Sequence, residues 1–260
     1  MSPDTEDVPH TDSAGIPWQG RSFEPNPNRD DDGSADPALL AALEDFHAGT
    51  GDRVAVVQAY RTARVLIPLI AHAGEHGSGG HGMSGHKTQE LSIVSVAAPD
   101  GRQVLPVFTS TQTMTAWDPR ARPIPADGVR TAVAAVSDSS ELIVIDPGAA
   151  TEFVVRRPAL WALAQGEPWT PSFMHPEVYR GMHESIGTEL AVIDLTLAAG
   201  DSGSALAEPE LVVTLDLVSG LDRSERDAVL ARLARRWAAD DRVAELVDSL
   251  TVKLRRASTD

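Results

Sequence analysis

Three stretches of this chain carry residue types that could do chemistry. Gly200-Asp201-Ser202-Gly203 has the letters that flank the nucleophile of one class of serine proteases. In that class the serine needs an upstream His and Asp on a double β-barrel, and "IAHAG" around His72 faintly echoes the histidine motif. Helical patterns at 36–48 and 222–239 do not fit a double barrel. Ser202 therefore reads as part of a loop between two strands, where Gly, Asp and Ser suit a turn, and no catalytic residue is expected.

The second stretch, "AHAGEHGSGGHGMSGHK", brings His72, His76, His81 and His86 together every four or five residues. Neutral imidazoles can gather Zn, Ni or Cu, and His72 with His76 has helical ligand spacing. The glycines prevent a rigid helix and Glu75 is the one carboxylate nearby, so preorganisation is poor. The segment reads as a low-complexity insertion that binds metal adventitiously, with a metal-responsive module as the alternative. The third stretch, "LPVFTSTQTMTAWDPRARPIP", sets Phe108, Thr109, Ser110, Trp117 and Arg122 around a helix start. A capped helix docking its tryptophan into the core explains it, and so does a groove whose open cap amides receive a carboxylate or peptide.

The elements that must position these residues follow from periodicity. Asp36 before Pro37 is an N-cap signal, and Leu39, Leu40, Leu43 and Phe46 recur at helical spacing until Gly49. A helix over 54–61 and a strand over 64–71 follow, then a hairpin around Pro99-Asp100-Gly101 and a short helix capped by Ser110 or Thr111. The Pro-rich "DPRARPIP" reads as a link. Beyond it come a helix over 128–137, strands "ELIVID" and "EFVV" around a turn at Asp146, and a helix over 158–165. A second Pro-rich linker, 167–175, carries Trp169 and Phe173, which should pack across the junction. The remainder predicts helix 176–184, strands "ELAVIDLTL" and "ELVVTLDLV", a helix from Asp222 to Ala239 with Asp222 and Glu225 as a capping box, and a strand "SLTVKL".

The expected fold is therefore α+β: a mixed, hairpin-rich sheet flanked by helices over 35–166, then a smaller αββαβ domain over 176–260. Residues 1–34, rich in Pro, Asn, Asp and Gly, read as a largely disordered tail whose Trp18 and Phe23 could lie in a groove of the folded body.

Composition narrows the function. With 22 basic against 38 acidic residues, a net charge of -16, and no basic patch, nucleic acid and anionic lipid are unexpected partners. The chain has no cysteine, which excludes disulfides, thiolate ligands, persulfide carriage and cysteine nucleophiles. No Walker-type loop or GxGxxG follows a strand, and no cofactor is expected. Without a leader-like or membrane-spanning stretch, the cytoplasm is the expected compartment.

The run "KTQELSIV", "PDGRQVLPVFTS", Trp117, "RPIP", "LIVIDPG", "FVV", "ALWALAQGEPW" resembles the SseB N-terminal domain, especially versions from bacteria of high genomic GC. "WQGRSFEPNPN" and "DDGSADPALLAAL" look like the usual lead-in, and the chain after His175 is similar to the SseB C-terminal domain. The His-rich insertion departs from that pattern. The resemblance implies a cytoplasmic α+β protein named for enhanced serine sensitivity, with no catalytic residues to carry over. Sulfur transfer, a link attached to similarly named rhodanese enzymes, would need the cysteine this chain lacks. The expected function is thus a non-catalytic regulatory or adaptor protein that binds an unidentified protein through a groove near Phe108, Ser110 and Trp117. A hydrolase using Ser202 is the remaining alternative.

Overall fold

The computed structural model describes residues 31–72, 90–98 and 100–256. Helix α1, Pro37–Ala48, begins where the Asp36 carboxylate accepts the amides of Ala38 and Leu39 at 2.9 and 3.1 Å, and ends at Gly49 in the left-handed region. Helix α2, Arg53–Thr62, is capped by Asp52 in the same way. Their apolar stripes, Leu39 and Leu43 with Val56, Val57 and Tyr60, are buried in one core.

Strand β1, Arg64–His72, lies between β2, Glu90–Ile93, and β5, Arg122–Asp127, in a three-stranded antiparallel sheet. A second sheet has the order β3 (Val96–Ala97), β4 (Gln103–Val107), β6 (Leu142–Ile145), β7 (Phe153–Val155). The expected hairpin forms between β3 and β4. Strands β4 and β6 run parallel, and the crossover between them carries α3 (Thr111–Trp117), β5 and α4 (Gly128–Ser137). The two sheets meet where Leu66 and Phe108 exchange backbone hydrogen bonds at 2.8 and 2.9 Å. Helix α5, Arg157–Gln165, closes this half of the chain.

Two elements differ from the expectation. "DPRARPIP" is not only a link, because its second half is β5, with Pro123 opposite Pro68 and Pro125 opposite Leu66. An edge strand tolerates proline because the missing N–H can lie on the unpaired side. The helix expected over 222–239 forms as α7, Arg223–Ala238, but a further short helix that was not expected, α8, Asp241–Leu246, follows it at once, capped by Asp240.

The second half consists of α6 (Pro176–Ile186), β8 (Val192–Ala199), β9 (Leu211–Leu217), α7, α8 and β10 (Leu250–Arg256). Strand β9 is central, antiparallel to β8 and parallel to β10. Alternate residues of β9, from Leu211 to Leu217, are buried against a core that includes Val229, Leu233 and Trp237 of α7. Between the halves, Trp169 packs on the first core and Phe173 on the second. The described residues from Gly33 onward belong to one compact unit.

Candidate functional site

The Gly-Asp-Ser-Gly turn is built to face inward at Asp201. A Cβ on Gly200 would sit 2.0 Å from the Pro209 carbonyl oxygen, so the crossing of the two loop ends requires glycine. Asp201 is only 3% exposed and adopts a positive φ of 40°. Its carboxylate pairs with Arg156 and accepts the Leu206 amide at 3.0 Å. Ser204 then accepts the Val154 amide on its carbonyl at 2.8 Å, which pins the loop to β7. Ser202 sits on the exposed side of this turn, between β8 and β9.

Arg156 is the centre of a buried charged cluster that the sequence reading missed. It is 7% exposed and reaches Asp248 at 2.8 Å, Ser249 Oγ at 3.1 Å and the Glu208 carbonyl at 2.9 Å, besides Asp201. Arg102 takes the other Asp248 oxygen at 2.7 Å and also holds Asp100. Glu210, likewise buried, accepts the Ser172 hydroxyl and the Asp248 amide, each at 2.8 Å. Burial pushes the Glu210 carboxyl up, and those two hydrogen bonds pull it partly back. Burial pushes the nearby Arg53 guanidinium down, against the attraction of Glu210 and Asp201. Each of these carboxylates is thus bonded to a guanidinium, a hydroxyl or a peptide N–H. The cluster acts as a latch joining β7, the β8–β9 loop and the turn into β10. Such pairs fix geometry more than they add stability, because desolvation offsets much of the attraction.

The residues expected to line a groove near α3 are mostly not surface groups. Phe108 and Thr109 are 0% and 1% exposed. The Thr109 amide and hydroxyl both donate to the buried Asp146, at 2.8 and 2.7 Å, and Asp146 accepts Thr113 and Thr151 hydroxyls at 2.8 Å as well. Nor does the cap stand open. Ser110 Oγ accepts the Thr113 amide at 3.2 Å, and the Gly33 carbonyl accepts the Thr111 amide at 2.9 Å. Gly33 is held close, since a Cβ there would meet Thr111 at 2.5 Å. So the end of the tail, expected to be disordered through residue 34, already occupies the cap. Trp117 is half-buried with its ring centroid 5.3 Å from that of Phe108, and Arg122 is exposed on β5. These five residues therefore form no common binding surface.

Of the four histidines, His72 closes β1 opposite Glu90, while His76, His81 and His86 lie outside the described residues, as do Trp18 and Phe23. Among the described residues no group of three or more His, Asp or Glu is placed to hold a metal ion.

Among the described residues an apolar groove lies in the second half. A furrow of about 450 Å³ runs between α7, α8 and β10, lined chiefly by Leu230, Ala234, Ala238, Ala244, Leu250 and Val252. Arg157 forms its lip, donating to the Ala244 and Val247 carbonyls at 2.8 and 2.7 Å and lying 5.8 Å from the ring centroid of Trp161. Trp161 is 41% exposed, so apolar surface continues past the lip. Towards the other end of β10 a second depression of 380 Å³ includes Leu254, Arg226 and Arg255. The furrow lies where the edge strand β10 meets α7 and α8, with Leu250 and Val252 only partly buried against the core. Leu230 packs against the second core and, being only partly buried, also lines the furrow.

This arrangement defines an α+β protein with a latch of buried charges and an apolar surface groove beside a sheet edge. Residues 38–162 match the family model described as the SseB protein N-terminal domain, a span that contains Arg102, Arg156 and the Asp146 cluster but not the groove's α7, α8 and β10. Comparison with curated proteins and with solved structures returned no match. Among the described residues no helix is long and apolar enough to cross a membrane.

Proposed function

We propose that the chain is a non-catalytic adaptor or regulatory protein of the SseB family, acting in the cytoplasm, and that it binds an extended segment of a partner protein in the furrow between α7, α8 and β10. The observation that carries this reading is the apolar furrow itself, lying beside an edge strand whose backbone can pair. The Arg156 latch supports it, because Asp248 and Ser249 lead directly into β10 and hold the furrow's floor in place. The region after His175 serves in this reading as the partner-binding half, in keeping with its resemblance to the SseB C-terminal domain.

The test places a photo-reactive residue at Ala234 in the full chain in its native host. The captured protein is then purified and titrated against wild type and Ala234→Arg. Arginine is a good helix former, so it fills the furrow without breaking α7. The reading expects capture of a defined protein whose binding the arginine abolishes while circular dichroism is unchanged. Capture of nothing, or equal binding by the variant, would overturn it.

A further inference from the structure

The furrow's shape and charge select among extended segments. We infer that it takes an acidic–apolar alternating segment, added as a fourth strand alongside β10; this deepens the adaptor reading and rests on it. Strand β10 ends the sheet order, so alternate residues turn their N–H and C=O groups away from β9. Leu250, Val252 and Leu254 are in register with Leu211, Val213 and Leu215, which places them on the helix-covered face. The β9 residues are fully buried there, whereas Leu254 is 42% exposed. A strand added about 4.8 Å beyond β10 would therefore lay every second side chain on the shelf of Leu230, Ala234 and Ala238. The alanines leave the room those side chains need.

The intervening side chains of such a strand would meet the other face of β10, which presents Lys253 and Arg255. Lys253 is exposed and has no ion pair among the described residues. Arg255 is bonded to Asp216 at 2.6 Å, yet its side chain remains 60% exposed. Cross-strand pairs of opposite charge are favourable and like charges facing each other are not. An acidic segment fits this edge better than a second copy, whose Arg255 would face Lys253 when two β10 strands pair antiparallel about Leu254. The opposite edge, β8, is packed instead by α6 and the turn at Ser172–Met174. With a net charge of -16 the whole molecule does not steer acidic partners from afar, so selection occurs at contact.

The experiment uses the full chain and three eight-residue peptides: valine alternating with glutamate, valine alternating with lysine, and valine and glutamate in two separate blocks. Affinity is read by fluorescence anisotropy and placement by amide hydrogen exchange. The alternating Val/Glu peptide should slow exchange across residues 250–256 and bind about tenfold or more tightly than either control. Lys253→Glu should weaken it by about fivefold and favour the Val/Lys peptide. Equal binding of the two alternating peptides, or unchanged exchange in β10, would overturn the inference. If both alternating peptides bind equally and Ala234→Arg blocks both, the adaptor reading stands and the acidic-strand inference alone falls. If no peptide binds and the probe at Ala234 captures nothing, both fall.

Discussion

Replacing Arg156 with alanine should uncouple the two halves of the molecule. The change removes the guanidinium that holds Asp201, Asp248, Ser249 and the Glu208 carbonyl in one place. Asp248 keeps Arg102 at 2.7 Å, but Asp201 would keep only backbone donors such as the Leu206 amide at 3.0 Å. Removing one partner of a buried ion pair costs about 3–5 kcal/mol, because the remaining charge stays desolvated. That is a large part of the ~5–15 kcal/mol by which folded domains are stable. With a urea dependence of about 2–3 kcal/mol per molar, the midpoint should fall by roughly 1–2 M. Circular dichroism reports the whole chain, while in a background that keeps Trp237 as its sole tryptophan fluorescence reports the second core, so the two traces should separate in the variant. A cycle combining Arg156→Met with Asp201→Asn should give a coupling of about 1–3 kcal/mol. A midpoint shift below about 0.3 M, or strictly additive single changes, would refute the latch.

Three further outcomes follow from the same geometry. Ser202→Ala should leave folding unchanged while Asp201→Asn lowers the melting temperature, and a fluorophosphonate probe should not label Ser202; labelling would restore the hydrolase alternative. Asp146→Ala strands three hydroxyl donors and the Thr109 amide, so at least ~2 kcal/mol of stability should be lost in thermal denaturation, and a near-native Tm would contradict the role given to Asp146. Arg232, through its hydrogen bonds, then Arg236 hold the buried Glu189 carboxyl below its usual value of 4.5. Because the folded value is depressed, the stability advantage of wild type over Glu189→Gln should be full above that usual value and vanish as pH falls through the lowered one, which denaturant titrations at several pH values would reveal. A gap that widened in acid would reverse the sign.

Much of the architecture was legible because its signals are local. Asp36-Pro37 and Asp222 with Glu225 announce helix starts through side chains two or three residues from the amides they bond, and the alternation of β9 reports one covered face. Strand β5 was hidden by Pro123 and Pro125, whose usual meaning as breakers is overridden at a sheet edge. The latch was hidden for a different reason. Residues 156, 201, 210 and 248 come from four separated segments, and nothing in the spacing of Arg156, Asp201, Glu210 and Asp248 indicates that they meet. The one available hint is that Arg156 and Glu210 each abut an apolar strand run, "FVV" and "LVVTLDL". The furrow was illegible because the helical pattern of α7 reveals which residues face a sheet, but not how far that sheet extends beneath them.

The most direct test of the central claim is the affinity of the protein captured from Ala234, measured by calorimetry against wild type and Ala234→Arg under identical salt. The account predicts that the arginine weakens binding by at least about tenfold with the fold intact. Unchanged affinity, with capture instead from a probe at Arg122 on β5, would contradict it.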